Sequence, residues 1–254
     1  MDTLVCVKAV PKEAPQVRVA DGVPAFERAG AGSLILNECD DYAVDQAVQL
    51  KKRFGGRVTA VTVGSLSCQE ALYLAVAKGC DDALRVDAEQ ADSLTVARLL
   101  AAVARQGSYD LILAGVESWE DLASAVPPAL AALLDLPFAT AVAGLDVEGG
   151  RLLTKKEMGG GYYQALEMPL PAVVAVQSGV CRLSYAPTMR VLQARRLPPR
   201  SVTPASLGVE MAQRPAQLVA IEPPRHERDA EMISGPPAQV AAAICDCIER
   251  ALHG

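Results

Sequence analysis

Few groups in the chain can do bond chemistry, and their spacing narrows the options. Both histidines, His226 and His253, fall within about the last thirty residues, far from any other candidate group. A Ser-His-Asp triad needs a base beside its nucleophile, and a multi-histidine metal site needs clustered ligands, so neither is expected. Cys245-x-Cys247 lacks a partner pair and lies in an amphipathic helical pattern. It reads as a half-buried helix face against the alternative of a zinc or cluster ligand. No catalytic residue and no metal ligand is assigned. Any part in catalysis would rest on a borrowed cofactor.

The remaining candidates lie where strands should end. Thr3–Val10 is an apolar run stopped by Pro11, a first strand. Val17–Leu36 is glycine-rich and reads as a loop or hairpin. Asp40–Phe54 is a helix with Ala43, Val44, Ala47, Val48 and Leu50 largely on one face. Its acids come first and its Lys51, Lys52 and Arg53 last, as the helix dipole favours; Gly55-Gly56 supply the cap. Arg57–Val63 is the next strand, Cys68–Lys78 a helix, Ala83–Val86 a strand, and Ser93–Arg105 a helix with Ser93 as its N-cap. Leu111–Gly115 and Val126–Leu134 complete the alternation. This βα order predicts an α/β fold with a doubly wound, mostly parallel, Rossmann-like sheet and a ligand crevice at its carboxyl edge. Backbone at Val7, Lys8 and Ala9, at Asn37, and at Val63 and Gly64 would converge there. These residues contact a nucleotide or simply make turns and caps.

Beyond Leu134 the pattern changes. Ala139–Val147, Arg151–Met158 and Tyr162–Met168 read as added antiparallel strands, separated by glycine turns. Gly159–Gly161 resembles a phosphate-binding run only superficially, because no helix follows. Ala172–Gln177 is a buried strand and Met189–Arg196 a short helix. Arg200–Pro237 shows little periodicity, and Gln239–Leu252 closes the sequence as an apolar-faced helix. The expected organisation is an α/β domain over 1–197 and a C-terminal arm and helix over 198–254, the arm lying on a partner.

Composition agrees with a globular chain. Of 254 residues 51% are hydrophobic and 21% charged, while only 4% are aromatic, which favours helices on strands over a β-sandwich. A net charge of −6 argues against a general nucleic-acid binder. No apolar run reaches the roughly 18 residues that membrane insertion needs, and the opening MDTLVCVKAVPK alternates too strongly for a signal peptide. Seven cysteines without a framework fit reduced thiols. A cytoplasmic location is expected.

Several strings then recur in the order of one family. VCVKAVP, Asn37-Glu-Cys39-Asp-Asp-Tyr-Ala-Val44, residues 61–72 and 75–86, and above all KKEMGGGYYQALEMPLPAVVAV at 155–176 carry the likeness, followed by Tyr185 and Gln193-Ala-Arg-Arg196. Across nearly its whole length the chain resembles the β subunit of electron transfer flavoproteins. The resemblance implies an adenine-nucleotide-hydrolase-like α/β subunit paired with a larger FAD-binding α subunit. FAD would rest mainly in that subunit and be shared at the interface. Electrons would pass from a flavin dehydrogenase toward the respiratory chain. It implies cofactor contacts at Val7, Lys8, Ala9, Asn37, Cys39, Val63 and Gly64, and at Ala123, Ser124 and Ala125. It also implies a docking loop around Tyr185, Thr188 and Met189, where the family often has Thr-Leu-Pro and this chain Pro187-Thr-Met189. Two other readings stay open: a non-redox scaffold subunit of a dehydrogenase complex, and a stand-alone nucleotide-binding module of the same superfamily.

The departure from the family lies in Gly115–Leu130. Its Thr-Gly-Gln phosphate cradle has become Ala123-Ser124-Ala125, and Pro127 stands in place of glycine. Two lost hydrogen bonds to a charged group would cost about 3–6 kcal/mol, and Glu117, Glu120 and Asp121 add repulsion. The family-typical AMP is therefore expected to be absent or weakly bound, as is a second FAD. Trp119 in this loop would fill vacated space or meet a partner.

Overall fold

The structure, a computed structural model, describes residues 1–13, 17–20, 23–26, 34–89, 91–211 and 232–253. In chain order the first elements are β1 (Thr3–Cys6), β2 (Ala9–Pro11), β3 (Val17–Ala20), β4 (Val23–Phe26), β5 (Leu34–Leu36) and α1 (Glu38–Phe54). Next come β6 (Val58–Val63), α2 (Gln69–Lys78), β7 (Asp82–Val86), α3 (Ser93–Arg105), β8 (Leu111–Gly115) and α4 (Val126–Leu134). The added region holds β9 (Phe138–Glu148), β10 (Arg151–Gly159), β11 (Tyr162–Pro169), β12 (Ala172–Val176) and α5 (Thr188–Ala194). β13 (Arg200–Val202) and α6 (Pro237–His253) follow.

Nine of these strands form one sheet in the order β11-β10-β9-β12-β8-β1-β6-β7-β13. From β1 the chain moves outward to β6 and β7, then crosses back to β8 and β12 on the other side. The order therefore reverses between β1 and β8, where an open α/β sheet leaves its crevice. β1, β6, β7, β8 and β12 pair in parallel, while β10 runs antiparallel to β9 and β11. Strand alternation feeds two cores. Val5, Leu111, Leu113 and Val174 face one layer with Val44 and Leu72, while Leu4, Ile112 and Val173 face the other with Leu99 and Leu130. Burial of both faces explains why β8 and β12 read as unbroken apolar runs.

The first strand is shorter than Thr3–Val10. It leaves the sheet after Cys6, because the Lys8 N–H is taken by the Asp40 carboxylate at 2.8 Å, and the chain turns to pair β2 with β5. The expected loop or hairpin over Val17–Leu36 holds a β3–β4 hairpin and β5, and its residues 21–22 and 27–33 lie outside the described residues. The stretch expected to be irregular opens with β13, parallel to β7. The buried Arg85 guanidinium holds it, donating to Ser201 Oγ at 3.0 Å and to the Gly64 carbonyl at 2.8 Å. Residues 212–231 of the expected arm are outside the described residues.

Capping of α3 also differs from expectation. Asp92, not Ser93, is the N-cap, and its carboxylate accepts from Thr95 N at 2.7 Å. Asp92→Ala should lower stability by about 1 kcal/mol in urea unfolding; an unchanged midpoint would contradict the capping role.

Candidate functional site

The carboxyl ends of β1, β6 and β8 open into a cleft of about 710 Å³. Val7, Lys8, Ala9, Asn37, Val63 and Gly64 line it, as do Ala123, Ser124 and Ala125 from the loop before α4. Cys39 does not line the cleft: it sits one residue into the α1 turn, with its Cβ behind Gly115. Tyr185, Thr188 and Met189 are exposed elsewhere, Tyr185 at 82% and Met189 at 65%.

One buried group organises the strand ends. Asp40 Oδ2 accepts from Lys8 N at 2.8 Å and Asp40 Oδ1 from Gly115 N at 2.7 Å. The α1 carboxylate thus bridges the two strands that flank the switch point. Only glycine fits at 115, since a Cβ there would lie 2.5 Å from Asp40 Oδ1 and 2.6 Å from Cys39 Cβ. Asn37 stands at the N-cap position, yet its side chain does not cap the helix; its Nδ2 donates to the Glu117 carbonyl at 2.9 Å. Burial pushes the Asp40 carboxyl up to about 6, although N–H groups of Gly115 and Lys8, the Asn37 amide and the Lys8 charge all pull it down. The sequence reading gave Asp40 only a place in the helix dipole. Its signal was an acid in the first turn of a helix that begins beside two strand ends.

Across the cleft mouth, Lys8 Nζ donates to Ser118 Oγ at 2.9 Å and to Asp121 Oδ2 at 2.8 Å, and pairs closely with Glu120. Burial works to lower the Lys8 ammonium, but Asp121 and Glu120 outweigh it and the net shift is upward. Burial likewise opposes ionisation of Asp121, yet Lys8, the Ala123 N–H and Ser118 hold it below the usual carboxylate range. Leu122 and Ser124 adopt left-handed backbone, with φ of +50° and +48°. That fold lets Asp121 Oδ1 accept from Ala123 N at 3.1 Å and Glu117 Oε2 accept from Ser124 Oγ at 3.2 Å.

Hydrogen-bond donors are few at the start of α4. α4 starts at Val126 with Pro127 and Pro128 as its next residues, so two of its early N–H donors do not exist. Two polar donors of the altered loop, Ala123 N and Ser124 Oγ, already face internal carboxylates. The Val7 N–H is bound to the Val61 carbonyl and the Gly64 N–H to the Val86 carbonyl. Trp119 is 39% exposed and is not among the cleft residues, so it does not fill the vacated space.

Cys6 lines the cleft, but burial first and the Asp40 charge second push its thiol far above the usual range. Cys245 and Cys247 are exposed rather than half-buried on α6. Among the described residues no group of three or more His, Cys, Asp or Glu could hold a metal ion, and no helix is long and apolar enough to cross a membrane. Gly159–Gly161 is a hairpin turn between β10 and β11, each glycine at positive φ. Lys155 lies on exposed strand, its Nζ 4.1 Å from the Tyr163 ring centre.

Fold and cleft together define an open, doubly wound α/β chain with a crevice at its switch point and a second surface around Tyr185. Residues 27–207 match the electron transfer flavoprotein domain. The chain is similar to the electron transfer flavoprotein subunit beta of Methylophilus methylotrophus, with 32% identity covering 84% of this chain and 85% of that protein. It is similar to the human subunit beta, with 30% identity over 87% and 89%, and to that of Bacillus subtilis, with 29% over 83% and 84%. The chain belongs to the electron transfer flavoprotein β-subunit family.

Asp40 should also be visible in the pH dependence of folding. Its folded carboxyl is pushed up to about 6 from an ordinary value of 3.8, so the folded chain binds more protons between those values. The Asp40 share of stability is fullest below the unfolded value and is lost as pH rises through about 6, by about 3 kcal/mol in all. Asp40→Asn should flatten that decline in urea unfolding from pH 4.5 to 7. At pH 7 it should be less stable by about 1–3 kcal/mol, because its NH₂ would face an N–H donor. A decline equally steep in the variant would contradict the assignment.

Proposed function

We propose that the chain is the β-like subunit of an electron transfer flavoprotein. It forms a heterodimer with a FAD-binding α subunit and passes electrons from a flavin dehydrogenase toward the respiratory chain, in the cytoplasm. The observation that carries this reading is the family match across 27–207. Its role is positioning and recognition. FAD, held mainly by the α subunit, supplies the electron chemistry.

Two surfaces support the reading. α6 has no buried residue, and Ile244, Ile248 and Leu252 are 45%, 53% and 74% exposed along its apolar face. A helix so patterned has no use for that face without a partner, which favours the subunit over the stand-alone module. In this reading the arm and helix over 198–254 wrap the α subunit, beside the domain over 1–197. The exposed Tyr185, Thr188 and Met189 then meet the dehydrogenase, with Met189 as a flexible apolar anchor.

The chain holds no AMP or second FAD in this account. At the loop before α4, Glu117, Glu120 and Asp121 face the cleft with Lys8 as their one cation among the described lining residues, and Ala123 N and Ser124 Oγ are engaged by internal carboxylates. The same observation favours the second reading, a scaffold subunit that keeps the shape without electron transfer.

Co-expression with an α-type flavoprotein separates the readings. The two chains should elute together with a flavin spectrum that bleaches when a flavin dehydrogenase and its substrate are added. A flavin complex that no dehydrogenase reduces would favour the scaffold, and a cooperative, monodisperse monomer would favour the module. Met189→Ala should weaken donor coupling by about 1–2 kcal/mol and leave the flavin spectrum unchanged. Unaltered reduction kinetics would remove Met189 from the interface.

A further inference from the structure

A buried ion-pair cluster outside the cleft ends on the segment that carries Tyr185 and Met189. Lys78, the last residue of α2, and Asp45, in the middle of α1, have side chains only 5% and 4% exposed. Lys78 Nζ lies 2.8 Å from Asp45 Oδ2 and 2.5 Å from Asp41 Oδ1, so both acids share one cation. Asp45 has further partners: its Oδ2 accepts from Ser184 N at 2.9 Å and its Oδ1 from the Ser184 hydroxyl. Two neighbouring contacts extend the seam, as Cys181 Sγ donates to the Tyr42 carbonyl at 3.6 Å and Gln49 Nε2 to the Arg182 carbonyl at 3.4 Å. Tyr42, Asp45 and Gln49 are spaced i, i+3, i+7 and so form one stripe of α1. The far end of the segment is fixed on α2, where Ala194 is buried and Arg195 pairs with Glu70 at 2.6 Å.

We propose that Asp45, charge-balanced by Lys78, is a positioning group that clamps Ser184 and thereby sets the placement of the exposed residues 185–189 for the electron donor. This inference rests on the docking role proposed above. The physical reason is economy of disorder. Tyr185 and Met189 project into solvent and cannot order themselves, so their order must come from buried anchors on either side. A charged acceptor held by a buried lysine gives Ser184 hydrogen bonds stronger than a neutral one would.

The test uses the full heterodimer. Ser184→Ala removes the hydroxyl and leaves the Lys78–Asp45 pair intact, so the fold survives; Ser184→Thr keeps the hydroxyl. Ser184→Ala should speed amide hydrogen exchange at 185–189 and raise KM for the donor dehydrogenase about tenfold, with kcat and the flavin spectrum unchanged. Ser184→Thr should restore both. Unchanged exchange in Ser184→Ala would overturn the clamp. If Met189→Ala raises KM but Ser184→Ala does not, docking stands and the positioning role falls. If neither moves KM, the docking reading itself fails and the inference with it.

Discussion

The Asp40 carboxylate, bridging the N–H groups of Lys8 and Gly115, is the contact on which the rest of the site depends. β1 and β8 are adjacent strands whose connections leave in opposite directions. Past them the Val7 and Val116 N–H groups still reach the Val61 and Val176 carbonyls on the outer strands, while the N–H groups of Lys8 and Gly115 turn to α1. A carboxylate from the first turn of α1 satisfies both. Left unpaired, the buried Gly115 N–H, the half-buried Lys8 N–H and a buried charge would cost several kcal/mol. The contact forces α1 so close to β8 that only glycine fits at 115. It also ends β1 early and sends the chain toward β2.

From that anchor follows the state of the cleft. Lys8 begins at the strand end that Asp40 fixes, and its ammonium reaches Ser118, Glu120 and Asp121 across the mouth. The left-handed turn at Leu122 and Ser124 then directs loop donors onto Asp121 and Glu117. In the proposed reading, negative charge that a bound phosphate would bring is instead built into the chain. The proline pair at the start of α4 suits that reading, because it removes donors that a phosphate would use.

Legibility from sequence followed the range of the interactions. The apolar runs of β6, β8 and β12 and the glycine-bounded hairpin of β10 and β11 are set by local pattern, so they were readable to within a residue or two. So was convergence at the strand ends, since βα alternation dictates it. Asp40, Arg85 and Asp45 were not. Each acts through contacts with distant residues, at Gly115, Ser201 and Ser184, and an acid on a helix looks the same whether it meets water or a strand end. β13 was missed for a similar reason, because three residues such as Arg200–Val202 carry no periodicity. The N-cap of α3 moved one residue because Asp and Ser stand side by side and both can cap. The altered loop was legible as loss of donors, whereas its internal satisfaction by Asp121 and Glu117 needed the backbone geometry.

The central claim is that the chain's own carboxylates occupy the phosphate end of the cleft. Its most direct test is to purify the heterodimer, denature it, and quantify released AMP and FAD by chromatography. The account predicts one FAD per heterodimer and no AMP. One AMP per heterodimer, or two FAD, would show that the cleft still holds a phosphate and that Asp121 and Glu117 yield to it.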